Sequence, residues 1–581
     1  MTTLTDTDGP GARGPAPQGP PAAPDAPRRS RRLLVPAGAA LFIGVLGFLV
    51  VMPLIRLQSA AFADGAHGYR IAFGSPGTGK IVGTTIALAL GSLVVAMVLG
   101  TMLAWVATRM PPRYRILRTL PILPIVIPAI ANVTGWAFLL SPRPGYLNVL
   151  LRQLPWWSHL ESGPVDVYSL PWIVLITGFG LTAFVYLFVS TGLQNISQEH
   201  IEAAQVSGSS PVGVFFKVVL PLLRPALIYG GGVALLLGLG QFTVPLLLGT
   251  NSGTEVITTA MFRSVSESPV DFGAAAAYGS PLLLFGLAVV IGQKLALGDQ
   301  TRFVTHGGKA FRSVGGTSKA AVAVMIGYTL VATVLPLAAL VVVALSKFWS
   351  GTIGLDSFTL ANFRTVLNEP GIVDAIVMSV MASLTAVAIV LPVGFVAASM
   401  LLRWRRFRTV HALLDFIIAL PLGIPAVVFG AGFLLTYTSP PLILYGSRWV
   451  IILVYVTLML PFATRMLLSG MIAQGTAYVE ASRVSGAGPL ATDARIVLPL
   501  LRTSLGGAAA LMFVLLTHEF SASMLVRAPT TQVMGTVIFD YWLNGSYPTV
   551  AAIALVMTAV TATGVVAAMA AGGGTGVFDK L

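Results

Sequence analysis

A chain of 581 residues that is 55% hydrophobic and only 10% charged is not built for water, because soluble domains carry roughly a quarter charged residues. Its net charge of +14 does not argue for nucleic acid, since basic residues gathered into one set of membrane loops set topology and account for the excess. Cysteine is absent, which excludes disulfides, thiolate metal sites and a cysteine nucleophile.

Residues 1–32 are rich in Pro, Ala and Gly and close on Arg28, Arg29, Arg31 and Arg32. So few large apolar residues cannot bury a core, and the segment is expected to be a disordered cytoplasmic tail. The apolar run from Leu33 is too long for the core of a secretion signal, and further spans follow it, so it reads as a retained first helix. A helix rises about 1.5 Å per residue, so about 20 apolar residues cross a bilayer core. On that measure the first half, 33–297, holds candidate spans at about 34–56, 81–108, 119–140, 171–190, 226–249 and 272–297. Residues 298–319, with Arg302, His306, Gly307, Gly308, Lys309, Arg312 and Lys319, form a polar cytoplasmic linker. The second half, 320–571, gives about 320–346, 373–402, 411–436, 448–469, 504–526 and 549–571, and 572–581 is a C-terminal tail. The expected fold class is an all-α membrane protein of about 12 transmembrane helices in two six-helix halves.

Lys and Arg orient the spans. With the N-terminus in the cytoplasm, 25 of the 35 fall on the inner side and 10 outside, with clusters at Arg109, Arg113, Arg115 and Arg118 and at Arg403, Arg405, Arg406 and Arg408. An even number of spans returns the C-terminus to the same side. The chain is therefore expected to be multi-pass in the plasma membrane with both termini cytoplasmic.

Several motifs lie along the spans. Residues 74–81 read GSPGTGKI, close to a phosphate-binding loop, but Ile81 stands where a Mg²⁺-holding hydroxyl is required and no buried strand precedes it. LPIVIPA at Leu123–Ala129 is echoed by LPLGIPA at Leu420–Ala426. The proline pairs Pro124 and Pro128, and Pro421 and Pro425, break the helical ladder, and freed carbonyls are tolerated only against protein or a water-filled cavity. They line a pathway at a pseudo-two-fold interface or merely kink the helix for packing. Gly230, Gly231 and Gly232, with Gly506 and Gly507, suit close helix approach. His518 and Glu519 fall within the eleventh span, where ionisable residues are costly and default to a functional reading. Glu519 matches Gln241 of the fifth span, and the pair either lines the pathway or makes an interhelical hydrogen bond.

One internal repeat carries more than any of these. EAAQVSGSSPVGVFFKVVLPLLRPAL from Glu202 to Leu227 aligns without a gap on EASRVSGAGPLATDARIVLPLLRTSL from Glu480 to Leu505, and 13 of the 26 positions are identical. Both copies fall in expected cytoplasmic loops. Each reads as a short helix ending at Gly208 or Gly486, a turn, and a second helix that Ser210-Pro211 caps well and Gly488-Pro489 less well. Pro221 and Pro499 sit where the chain re-enters the membrane.

The pattern Glu202, Ala203, Ala204, Gly208, Leu220, Pro221, repeated as Glu480, Ala481, Ser482, Gly486, Leu498, Pro499, resembles the cytoplasmic signature of permeases in binding-protein-dependent ABC importers of the type I fold. Ser482 for Ala is the one departure. The resemblance implies that the short helices dock on a nucleotide-binding subunit and pass its closure to the membrane helices. Two copies imply a fused permease dimer served by two copies of an ABC ATPase, with ATP and Mg²⁺ on that partner and no cofactor, catalytic residue or metal ligand on this chain. An extracytoplasmic binding protein would dock on the outer loops 57–80, 141–170, 250–271 and 347–372, where interfacial anchoring equally explains Trp156, Trp157 and Phe348.

The fused layout, and the stretches from Gln241 and from His518 onward, look most like ferric-iron permeases. Thiamine, polyamine and phosphonate permeases are close in pattern. A gradient-driven secondary transporter would need buried carboxylates on several helices, and only Glu519 qualifies. A membrane-embedded enzyme would need a convergent set of His, Asp and Glu on the spans, which the sequence lacks.

Overall fold

The structure is a computed structural model that describes residues 28–297, 318–404 and 407–571. Most of the expected tail 1–32, nearly all of the linker 298–319, Arg405 and Arg406, and the tail 572–581 lie outside the described residues. The chain divides into two units, Met1–Leu46 and Gly47–Leu581. The described part of the first unit is the start of a helix, and every later helix belongs to the second.

Among the described residues nine helices are long and apolar enough to cross a membrane, and three bent helix pairs bring the number to twelve. All twelve expected spans fall on these elements. In the first half the helices are α1 (Arg28–Gly74), α2 (Thr78–Thr108), α3 (Ala129–Leu140), α4 (Leu170–Gln194), α5 (Gln198–Val206), α6 (Arg224–Leu239), α7 (Thr243–Leu248), α8 (Ile257–Ser266) and α9 (Phe272–Leu297). In the second half they are α10 (Lys319–Thr329), α11 (Leu335–Ala344), α12 (Pro370–Arg403), α13 (Arg408–Gly423), α14 (Ala426–Tyr437), α15 (Arg448–Gln474), α16 (Ala477–Val484), α17 (Arg502–Thr517), α18 (Ser521–Val526), α19 (Met534–Leu543) and α20 (Tyr547–Ala571).

The proline pairs do what helix chemistry requires. Ile127 and Ile424, each before a proline, adopt extended backbone, and Pro128 and Pro425 restart the helices as N-caps of α3 and α14. The chain bends there by 93° in the first half and 110° in the second. A different proline device recurs at Leu220-Pro221, Leu498-Pro499 and Leu335-Pro336. Each comes after a five-residue π-turn, Phe215–Val219, Asp493–Val497 and Leu330–Val334. Widening the turn by one residue shifts the hydrogen-bond register, so the missing proline N–H is absorbed at that point, and in the second half the chain then bends by 70° between Leu500 and Arg502.

The two halves interlock with pseudo-two-fold symmetry. On α3, Gly135 lies against Pro336 of α11, where an added Cβ would come within 2.9 Å of the proline Cβ. On α14, a Cβ added at Gly432 would lie 2.7 Å from the carbonyl oxygen of Pro53 of α1. Each bent helix therefore packs on the leading span of the other half, and only glycine permits that approach.

Two features depart from the sequence reading. The first span does not stop at about residue 56. Helical backbone continues to Gly74, interrupted at Asp64, Gly65 and Ala66, where φ is positive, and Tyr69 folds back to donate to Gln58 at 3.1 Å. The segments after the fifth and eleventh spans are also not plain loops, since each contains a short helix, α8 or α19, with a buried N-terminal turn. At ten residues these are too short to register as spans, and it is the surrounding bundle that buries them.

Candidate functional site: paired loops and an aromatic ring at the two-fold

The repeated loops have the same backbone. After α5, Gly208 adopts φ +82°, its N–H reaches Gln205 O at 2.9 Å, and Ser209 N–H reaches Ala204 O at 3.0 Å. After α16, Gly486 adopts φ +83°, with Gly486 to Arg483 at 3.0 Å and Ala487 to Ser482 at 3.1 Å. These bond pairs are a Schellman cap in both copies, and the left-handed residue it needs is glycine. Ser197 caps the start of α5 by accepting from Glu199 N–H at 3.3 Å, and Ser210 accepts from Gly213 N–H at 3.2 Å. Gly488 offers no such side chain, so the second copy has the weaker restart.

The departure at Ser482 is compensated. Ser482 is buried, and its hydroxyl pairs with that of Thr492 at 2.9 Å. The corresponding residues of the first copy are Ala204 and Val214, packed together in an apolar cluster. One copy closes the helix pair with an oily contact and the other with a hydrogen bond. Glu202, Ala203, Glu480 and Ala481 are exposed, while Pro221 and Pro499 are the second residues after the π-turns.

Sequence reasoning missed the apolar character of the exposed faces. Val206 and Val484, at equivalent positions, are each 90% exposed, and Val212 and Leu490 form a second equivalent exposed pair. Each loop is also tied to the second span of its half. In the first, Phe215 packs on Trp105 of α2 with ring centroids 4.9 Å apart. In the second, Asp493 accepts from Arg403 of α12, with one bond at 2.8 Å.

The centre differs from the continuous spans expected at 226–249 and 504–526. The fifth span breaks at Gly240–Phe242 and the eleventh at His518–Phe520. Glu519 caps the second break. Its carboxylate accepts from Ala522 N–H at 2.7 Å, Ser523 N–H at 2.8 Å and the Ser523 hydroxyl at 2.6 Å, satisfying the open N-terminus of α18. Tyr455 of α15 lies 3.0 Å from the same hydroxyl, and His518 Nε2 lies 2.8 Å from Thr561 Oγ1 on α20. Among the described residues the Gln241 side chain accepts only from the neighbouring Phe242 N–H at 3.1 Å, while its backbone carbonyl accepts from Thr258 at 2.7 Å. Gln241 and Glu519 make no hydrogen bond to each other among the described residues. Pro425 is brought beside the first break, since an added Cβ at Gly240 would lie 2.9 Å from it. Pro124 and Pro421 lie within the helices that precede the two bends, and Pro128 caps the start of α3.

What meets across the halves is the residue after each polar one. Phe242 and Phe520 stack with centroids 5.5 Å apart. Phe262 of α8 sits edge-on to Phe242 at 5.7 Å, Phe539 of α19 lies 6.1 Å from Phe520, and Phe262 meets Phe539 at 6.2 Å. The four rings close a cycle, two from each half at equivalent positions. The repeated phenylalanines after Gln241 and Glu519 are the signal that could have found it.

Comparison with known proteins decides the identity. Residues 96–296 match the family described as the binding-protein-dependent transport system inner membrane component. The chain is 25% identical over 533 residues to the ferric transport system permease protein FbpB of Actinobacillus pleuropneumoniae, covering 88% of this chain and 74% of that one. It is an ABC importer permease in fused, two-half form. The permease is also 27% identical over 449 residues to the probable ABC transporter permease protein y4fN of Sinorhizobium fredii, covering 74% of this chain and 76% of that one. A putative ferric transport system permease protein FbpB 1 of Haemophilus influenzae is 25% identical over 449 residues, covering 76% and 69%.

Beside the ring, the permease holds ion pairs of opposite layout in its two halves. Next to Phe262, Arg263 pairs with Glu255 at 3.2 Å, and burial pushes the Glu255 carboxyl up while Arg263 draws it back. Next to Phe539, Asp540 accepts from Arg527 at 2.7 Å and from Gln532 at 3.0 Å. An arginine in one half thus stands where the other has an aspartate.

Proposed function

We propose that this permease moves ferric iron, delivered by an extracytoplasmic binding protein, under the power of two copies of a separate ABC ATPase. The observation that carries the substrate is the match, over most of both chains, to relatives named as ferric transport permeases. The docking reading rests on the paired loops, whose equivalent exposed valines are the kind of apolar surface a partner covers. With those loops on the cytoplasmic side, both termini are cytoplasmic, and ATP with its Mg²⁺ binds the partner subunits.

The chemistry left to this chain is mechanical. ATP-driven closure of the partner moves α5 and α16. The Schellman caps keep each helix and its turn rigid, and the Trp105–Phe215 and Arg403–Asp493 contacts hand the motion to α2 and α12. The ring of Phe242, Phe262, Phe520 and Phe539 seals the pathway between halves, because four packed aromatic faces leave no hydrated route for an ion. Separating the halves parts the Phe242–Phe520 and Phe262–Phe539 contacts and opens it.

Proteoliposomes with the ATPase inside and the binding protein outside test the reading. ATP-dependent uptake of radioactive ferric iron is expected, with no comparable uptake of thiamine, a polyamine or a phosphonate. Uptake of one of those in place of iron would overturn the substrate. Failure of the ATPase to bind the permease would overturn the docking assignment.

A further inference from the structure

A charged cleft on the second half plays no part in the mechanism above. It has a volume of about 370 Å³ and lies between α13 and α15, lined by Leu401, Arg408, His411, Asp415, Arg465 and Leu468. Arg408, His411 and Asp415 are spaced by three and four residues, so one face of α13 carries all three. Asp415 accepts from Arg465 at 2.5 Å, engaging one guanidinium nitrogen. Arg408 and His411 have no side-chain hydrogen bond or ion pair among the described residues.

Its position on the helix makes the cleft informative. Arg465 lies nine residues before the end of α15, about 14 Å along the helix from the end that meets the paired loop. Its side chain is 43% exposed. An arginine within a candidate membrane span must find a counter-charge or snorkel to the interface. One aspartate neutralises one of the two arginines, and the cleft keeps a positive balance.

The first half shows that the fold does not need this cluster. The residue equivalent to Arg465 is Leu187, and those equivalent to His411 and Asp415 are Tyr114 and Arg118. Tyr114 and Leu117 pack there in an apolar cluster with Leu103, Leu193 and Met325. The charged version therefore belongs to one half only and is not part of the symmetric machinery.

We propose that this cleft binds the phosphate of an anionic membrane lipid from the leaflet on the side of the paired loops. Two guanidinium groups match a phosphate, His411 can add a third contact, and Leu401 and Leu468 offer apolar walls for the start of the acyl chains. The apolar walls and the position on a membrane helix favour a lipid over free phosphate.

The test is native mass spectrometry of the full-length permease, re-extracted from nanodiscs containing equal phosphatidylglycerol and phosphatidylcholine. One retained phosphatidylglycerol per chain is expected. Arg465→Leu, which copies the first half, and Arg408→Gln should each lower its retention about 5-fold. Asp415→Asn should raise retention, whereas a merely structural cluster would lose both lipid and melting temperature in that variant. If Arg465→Leu does not fold, Arg408→Gln with His411→Gln provides the same reading. Equal retention of the two lipids by the native chain, or wild-type retention in a folded Arg408→Gln/Arg465→Leu variant, would overturn the proposal. Displacement of the lipid by millimolar inorganic phosphate would overturn its assignment to a lipid.

Discussion

Replacing Val484 by aspartate puts the docking surface to a quantitative test. Val206 and Val484 are each 90% exposed, so almost the whole of each side chain is available to a partner and little of it supports the fold. Burying a valine removes apolar surface worth about 1.5–3 kcal/mol, or about a 10- to 150-fold change in affinity. Val484→Asp forfeits that gain and places an unpaired carboxylate in the contact, so ATPase affinity should fall at least that far at one of two loops. Val206→Asp/Val484→Asp should abolish stoichiometric binding. Stability should stay within about 0.5 kcal/mol, as expected of exposed positions away from caps and cores. The assay is titration of purified permease with the ATPase subunit, with thermal unfolding measured in parallel. Unchanged affinity in the double variant, at an unchanged melting temperature, would refute docking through these faces.

Three further outcomes rest on the same geometry. Gly486→Ala meets no neighbour within 4 Å, so its cost is the left-handed backbone alone, about 1 kcal/mol; insertion should be normal, while ATP hydrolysis exceeds uptake when both are measured in proteoliposomes. Phe520→Ala opens a cavity in the aromatic ring at a cost of about 3–5 kcal/mol and should admit an ATP-independent leak; a tight vesicle would count against the seal. In Glu519→Gln only one oxygen is left to accept where two served three donors, so the melting temperature should drop by the equivalent of about 1–3 kcal/mol, and an unchanged value would mean the cap of α18 adds nothing.

Much of this architecture was legible in one dimension because the membrane simplifies the code. A span must be long and apolar, so twelve runs of hydropathy locate twelve elements, and the bends at Pro128 and Pro425 arise from a missing N–H and a restricted preceding residue. The loop pair was legible for a related reason: Gly208 and Gly486 recur because a left-handed cap tolerates little else, and that requirement is local. A repeat in register at 26 positions, carrying the same glycine, prolines and arginine, also implied two halves from the sequence alone.

Other features depended on contacts between residues far apart. Glu519 read equally well as a pathway group or an interhelical partner, and only the folded chain shows its carboxylate turned onto the N–H groups of Ala522 and Ser523. The short helices α8 and α19 have no sequence mark of burial, since ten residues cannot span, and neighbouring helices cover them. Which phenylalanines meet, and that Arg465 faces Asp415 where Leu187 stands in the other half, depend on how two bundles interlock. The sequence by itself determined the spans, the proline bends and the repeat, because each is set by neighbours along the chain. The ring, the cap and the charged cleft were decided by tertiary structure alone, because each depends on packing between segments whose separation along the chain carries no local signature.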